Sequence, residues 1–440
     1  MLELGSDLLK IFSCVLVAAM LAKNHYRHRL RDAAHRWVDR CVLVIALPVI
    51  FGSVAHCIRN IADPRAWDYP LFYTVAKAAA SGQSFYRPDV LRHVFQEVRL
   101  SAAVPDDWVR EVNGYWYLPP SALLLAPLGL LGYTASLTVH YLMQLAFFCG
   151  SAVLLQRIAP IRDGWRGLLE LIILMLVFHP VQDALSLAQL VFGALFFLTL
   201  ALWALRDNPA LAGVALGVGS LYKHILLIIA ALMPLARKRG VATACCATLT
   251  IAVIVSALVF GIGAFSDFAR WGPSYNPAGF YLRGPLNQSL FPVIYRLVGL
   301  PRPDLPLSAA ILAPPFALVA GAFTLVTAVL CRREQGNPAS APLKMALLIS
   351  FALLVYPATL YNTIPLILPV FFLLFAYRNS LPVAPWVTIG FVAIEYALAS
   401  IKYSGAFLVL LSSWFGVALL LMMLSEHGAP AVGVGAEGAA

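Results

Sequence analysis

Along the chain, apolar runs of membrane-crossing length alternate with short basic connections, and one long polar stretch interrupts them early. Residues 41–58, 243–265, 308–331, 381–400 and 406–424 are almost free of charge. Each approaches or exceeds the roughly 17–25 residues a helix needs to cross a bilayer. With shorter and proline-interrupted runs included, the pattern predicts about eleven or twelve membrane segments. Their lengths suit helices, since a barrel would show weakly alternating strands of about ten residues. The expected fold class is therefore an all-α polytopic membrane bundle, in which each segment satisfies its own backbone hydrogen bonds.

Two stretches fit no simple span. Residues 118–131 carry Pro119, Pro120 and Pro127, so they either cross or re-enter. Residues 211–235 are too long for one comfortable span and too short for two, with Lys223-His224 at the centre. That spacing predicts two half-helices meeting at a polar point. Broken backbone at membrane depth is tolerated only where it lines a cavity or is buried in protein.

The polar interruption covers residues 59–117. Seven basic and seven acidic residues balance there, which points to a folded, water-facing unit. Apolar spacing predicts a helix over 69–81 that stops at Gly82. A second amphipathic helix, over 88–100, suits a position along the membrane interface.

Composition agrees: 61% of residues are hydrophobic and 12% charged, and the mean hydropathy is +0.82. The net charge of +10 is concentrated in short connections. Lys23, Arg27, Arg29, Arg31, Arg36 and Arg40 crowd one loop, Arg237-Lys238-Arg239 mark a second and Arg332-Arg333 a third. By the positive-inside rule these loops are cytoplasmic. Residues 59–117, 266–289 and 358–364 then share the outer face. Basic clusters also bind nucleic acid, but short basic loops between spans act as topology signals, so no nucleic-acid partner is expected. The seven dispersed cysteines lack any metal-ligand spacing and read as small core hydrophobes. Glu3 and Asp7 are out of place in a signal peptide, so residues 8–22 read as a short helix entering the membrane. Three regions follow: 1–40, an N-terminal helix with a basic loop; 41–424, the membrane domain with its polar insert 59–117; and 425–440, a flexible tail.

Candidate chemistry gathers on the outer face. Asp68 lies a few residues beyond a span, where a lipid headgroup would sit, and a carboxylate there can take a proton from an attacking hydroxyl. It can equally cap the helix that starts at Tyr69. Lys223 is an ionisable group inside an apolar segment, which marks a functional site unless its ammonium simply snorkels to the interface. His224, Arg270, Arg283 and Lys402 are the other cations placed to meet an anion, and Lys402 can also pair with Glu395. Asn287 and Gln288 offer amides to sugar hydroxyls or form a loop turn beside Pro285. Trp67, Tyr69, Tyr115, Trp116 and Tyr117 can stack on sugars or form the ordinary interfacial belt.

The order of these residues resembles glycosyltransferase family 87. Asp68-x-x-x-Phe72-Tyr73 is followed by Ala76 and Ala79, then Gly82-x-x-Phe85-Tyr86 and Tyr117-x-Pro119-Pro120. Ala188-Gln189 falls at the family's Gly-Gln, and Ala212-Gly213-x-x-x-Gly217 with Lys223 at its Gly-rich segment. Leu286-Asn287-Gln288-Ser289-Leu290 matches its Asn-Gln-Ser motif. The resemblance covers roughly residues 45–375. It implies a fold of the C superfamily of membrane glycosyltransferases with the active site on the outer face. It also implies a polyprenyl-phosphate sugar donor, with mannose or a pentose transferred to a lipid-linked or envelope glycan. Asp68 would be the general base, and Lys223 and Arg283 ligands of the phosphate. Asn287, Gln288, Gln189, Tyr73, Tyr117 and Asn362 would line the substrate site. The family commonly carries a late His where this chain has Asn362, which neither titrates nor acts as a cation. No cofactor or metal is expected, although Asp63 and Asp68 are near enough in sequence to share a cation. No P-loop is present. The alternatives are a lipid or small-molecule transporter, which would show inverted repeats, and a non-catalytic envelope-assembly subunit.

Overall fold

The computed structural model describes residues 17–26, 32–62, 68–102, 115, 117–159, 164–275, 282, 284, 286–298, 312–333, 336–401 and 405–426. Among them the chain is helical, without strands, apart from an isolated antiparallel bridge between Asn287 and Leu360. Among the described residues five helices are long and apolar enough to cross a membrane. Gly164–Val177 and His179–Ser186, bent by 71°, supply a sixth if taken as one span. Further apolar helices of 10–17 residues accompany them, Ser340–Val355 among them being almost wholly buried.

In chain order, residues 17–25 form α1, followed by α2 (Asp32–Ala62) and α3 (Tyr69–Ala80). Next come α4 (Pro88–Ala102), the broken segment Pro119–Leu130 and α5 (Tyr133–Ile158). The middle of the chain holds α6 (Gly164–Val177), α7 (His179–Ser186), α8 (Val191–Ala204), α9 (Pro209–Tyr222) and α10 (Ile225–Leu232). Then follow α11 (Arg239–Phe260), α12 (Gly263–Trp271), α13 (Leu290–Val298), α14 (Pro314–Arg332) and α15 (Ser340–Val355). A 3-10 turn, Tyr361–Ile367, leads into α16 (Leu368–Tyr377), with α17 (Pro385–Ala399) and α18 (Gly405–Glu426) last. Large apolar side chains such as Phe51 on α2, Leu258 on α11, Leu318 on α14 and Phe415 on α18 are exposed, as lipid-facing positions are.

The predicted elements survive with shifted limits. Helix α2 contains the whole 41–58 run and begins earlier, so Arg36 and Arg40 ride on a helix rather than in a loop. Helix α11 stops at Phe260, because Gly261 adopts φ +77° and turns the chain into α12. Helix α3 ends at Ala80. Gly82 at φ +68° donates to Ala79 and Gln83 donates to Ala78, which is the paired bonding of a Schellman cap. The expected break at Lys223-His224 separates α9 from α10.

Helix α4 does not present its apolar stripe to the membrane interface. Leu91, Val94, Phe95 and Val98 are buried inside the protein, while Asp89, Arg92, His93 and Glu97 face outward. Covering apolar area with protein satisfies the stripe as well as lipid would. Lys23 is also no loop charge: its ammonium lies 2.9 Å from Glu170, both side chains being buried, and Asn24 donates to the same carboxylate at 2.8 Å.

Polar contacts sort the connections onto two faces. Arg378 donates to His25, Asn337 to the Ser380 carbonyl, Arg333 to Ser425 and Lys344 to the Arg333 carbonyl, tying the first and third basic connections together. At the other face Ser84 donates to Asp267 at 2.5 Å, and Phe85 packs edge-on to Phe260. There too, residues 286–288 clasp the 357–361 link: Gln288 donates its backbone N–H to Thr359 at 2.8 Å and Tyr361 its own to Leu286 at 3.0 Å. The described parts of the polar insert, of the 266–289 region and of the 358–364 link therefore share one face, as the charge pattern predicts.

Candidate active site

Asp68 precedes α3 and has helical backbone angles, yet its carboxylate makes no capping bond. It accepts instead from the side-chain amide of Gln189, through Nε2. The other end of that amide, Oε1, accepts from Lys223 Nζ at 2.9 Å. One neutral amide thus joins a carboxylate to an ammonium, and its orientation is fixed by its neighbours: oxygen toward the cation, nitrogen toward the anion.

Each of the three comes from a different interruption of helix. Gln189 follows α7, which ends in a Schellman cap. Ala188 donates to the Leu185 carbonyl at 3.1 Å and Gln189 to the Ala184 carbonyl at 3.0 Å. The residue between cap and site is Ala188, in the left-handed region at φ +52°, where glycine is the usual occupant. That explains why this position aligns with a glycine in the family resemblance.

Lys223 ends α9 with extended backbone angles, φ −148° and ψ 116°, and only 8% of its surface is exposed. The depth of α9 is set by small residues against α11. A Cβ on Gly213 would lie 2.3 Å from the Val241 carbonyl oxygen, and one on Gly217 would lie 2.8 Å from Thr248. The Gly-rich segment therefore acts through close helix approach.

Tyr117 lies beside the lysine. Its ring centre is 5.9 Å from Lys223 Nζ, its carbonyl accepts the Tyr86 hydroxyl at 2.6 Å, and Phe72 packs edge-on to it. Burial, with the Asp68 carboxylate nearby, pushes its phenol well above the usual tyrosine range. Tyr117 is buried beside the lysine, not placed in an interfacial belt.

The other predicted residues sit around this core or elsewhere. The Tyr73 hydroxyl donates to the Leu131 carbonyl at 2.7 Å, fastening α3 to the broken segment. Asn287 donates to the Pro357 carbonyl at 2.6 Å, and Gln288 accepts the Phe407 backbone N–H at 3.0 Å. The Asn287 amide thus serves the clasp between 286–288 and the later link, while the Gln288 amide holds the first turn of α18. Asn362 is buried in the 3-10 turn and accepts from Thr363 at 3.4 Å. His224 accepts the Leu118 N–H on Nε2 at 3.3 Å, so this nitrogen carries no proton and the ring offers no cation there. Arg270 is exposed and stacks over Trp271. Arg283, Lys402, Asp63, Trp67 and Trp116 lie outside the described residues. Among the described residues no three His, Cys, Asp or Glu side chains come together as a metal site would need.

The family model described as glycosyltransferase family 87 matches residues 115–357, more than half of the chain. That span holds Tyr117, Gln189, Lys223, Asn287 and Gln288, with Asp68, Tyr73 and Asn362 outside it. No curated protein and no solved structure matches the chain.

Proposed function

The chain belongs to glycosyltransferase family 87, and we propose that it takes its sugar from a polyprenyl-phosphate donor and passes it to a lipid-linked or envelope glycan. The reaction would occur on the outer face of the membrane, opposite the basic connections. Mannose or a pentose is the sugar the family resemblance favours. The observation that carries the proposal is the Asp68–Gln189–Lys223 relay, with the Tyr117 ring beside its lysine.

In this mechanism Asp68 accepts the proton of the acceptor hydroxyl as its oxygen attacks the anomeric carbon. The bond from that carbon to the phosphate oxygen breaks, and the phosphate leaves with the electron pair. Lys223 meets the growing negative charge, and a water-poor setting strengthens this interaction. Gln189 is the ammonium's hydrogen-bond acceptor among the described residues, which leaves N–H donors for an anion. A single base suffices, because the phosphate departs already ionised, unlike the leaving groups of two-carboxylate hydrolases. Arg283 is proposed as a second phosphate ligand. Tyr117 is proposed to pack on the sugar or lipid phosphate, while Asn287, Gln288, Tyr73 and Asn362 hold the surrounding loops.

The test is a donor panel. Purified protein in lipid nanodiscs, given polyprenyl-phosphate mannose, polyprenyl-phosphate pentoses and the corresponding nucleotide sugars, should consume a lipid-phosphate donor. Consumption of nucleotide sugars alone would refute the donor assignment.

A further inference from the structure

We infer that His140 is a positioning residue for transfer: by donating to the Ala188 carbonyl it holds the left-handed turn that aims Gln189 between Asp68 and Lys223. The inference rests on the proposed role of Gln189 in the site.

His140 lies on α5 and is fully buried. Its Nε2 is 2.9 Å from the Ala188 carbonyl oxygen. A carbonyl can only accept, so Nε2 carries the proton, and Nδ1 has no hydrogen-bond partner among the described residues. The imidazole packs at 4.9 Å against the ring of Tyr69, whose hydroxyl is 2.6 Å from Ser136, one helical turn before His140. Tyr69 follows Asp68 directly. The same imidazole therefore touches both the start of the helix behind the carboxylate and the turn that carries the amide.

Ala188 explains why such a hold is needed. Its φ of +52° is one that residues with a Cβ seldom adopt. A glycine would take this position unaided, whereas alanine would relax toward ordinary angles and swing the Gln189 side chain away. The cap bonds to Leu185 and Ala184 constrain the turn from within its own helix. His140 constrains it from a neighbouring one.

The experiment combines a mutant cycle with hydrogen–deuterium exchange. Transfer is measured for His140→Phe, Gln189→Ala and the double variant, and exchange is followed in the peptide covering residues 184–190. His140→Phe should slow transfer by about tenfold, the scale of a lost buried hydrogen bond, and should speed exchange in that peptide. The double variant should be no slower than Gln189→Ala alone, because His140 acts through Gln189. Ala188→Gly, placed on His140→Phe, should recover part of the loss, which a mere packing defect would not allow. His140→Asn keeps a buried polar group but falls short of the Ala188 carbonyl, and it runs through the same cycle if phenylalanine prevents folding. Unchanged exchange in the turn, or fully multiplicative losses in the double variant, would overturn the inference while leaving the site intact. A Gln189→Ala protein with wild-type transfer would overturn the inference and Gln189's place in the site together.

Discussion

At the residue scale, the amide between Asp68 and Lys223 prevents a direct ion pair. Opposite charges 4 Å apart attract by about 4 kcal/mol at an effective dielectric of 20, enough to lock base and phosphate ligand onto each other. With Gln189 interposed, both charges stay oriented and the Lys223 ammonium keeps N–H donors for substrate. If Lys223 binds the donor phosphate, Lys223→Met should raise the donor KM and lower kcat, because the interaction strengthens as charge moves onto the leaving group. Lys223→Arg should recover only part, since a forked guanidinium does not replace a compact ammonium in a tight pocket. Steady-state kinetics on both variants decides this, and unchanged values for Lys223→Met would leave the lysine a bystander. Lys223 was legible in the sequence because a charge among apolar residues demands a reason, and Asp68 because it follows a span at the head of the motif that resembles the family. Gln189 was legible only through the family resemblance. His140 and the strain at Ala188 were not legible, since their meaning depends on a backbone angle that no spacing reveals.

At the element scale, interruptions of helices place the site, and the glycines between helices set its dimensions. The proline-rich stretch 118–131 neither spans cleanly nor forms one helix; it breaks into three short turns, of which Ala122–Leu125 and Ala126–Leu130 pack on α3. Gly129 lies so near α3 that a Cβ would come 2.2 Å from the Ala76 carbonyl oxygen. Backbone cannot yield as a flexible side chain would. Gly129→Ala should therefore destabilise the protein by about 1–3 kcal/mol, the usual scale of overpacking. Transfer should fall more than folded yield, because Asp68 immediately precedes α3. Thermal unfolding in detergent, read alongside turnover of the folded fraction, checks both. The break at Lys223 was predictable from segment length, whereas the burial of the α4 stripe was not, because periodicity gives an apolar face without naming what covers it.

At the scale of the whole molecule, basic connections and site loops occupy opposite faces, and polar bonds, most of them at the surface, tie the basic face together. The Lys23–Glu170 pair is the deepest of these ties, linking α1 to α6. Removing one partner strands a buried charge, so Lys23→Met should cost about 3–5 kcal/mol. Lys23→Met combined with Glu170→Leu should regain most of that, as read by thermal unfolding. Membrane topology follows from the same two faces. Cysteine at Gln83 should react with an impermeant reagent added outside, and cysteine at Arg332 only after the membrane is opened. The sequence revealed these faces because lysine and arginine counts record insertion. The buried ion pair stayed hidden, since Lys23 looks like any other loop cation until the chain is folded.

Asp68→Asn tests the central claim most directly. The substitution preserves shape and can still meet the Gln189 amide, but it removes the group that would take the acceptor's proton. Turnover of a polyprenyl-phosphate sugar by the folded variant, at saturating donor, should fall by roughly 10²–10⁴-fold, with donor affinity little changed. A well-folded Asp68→Asn enzyme that turns over near the wild-type rate would contradict the account.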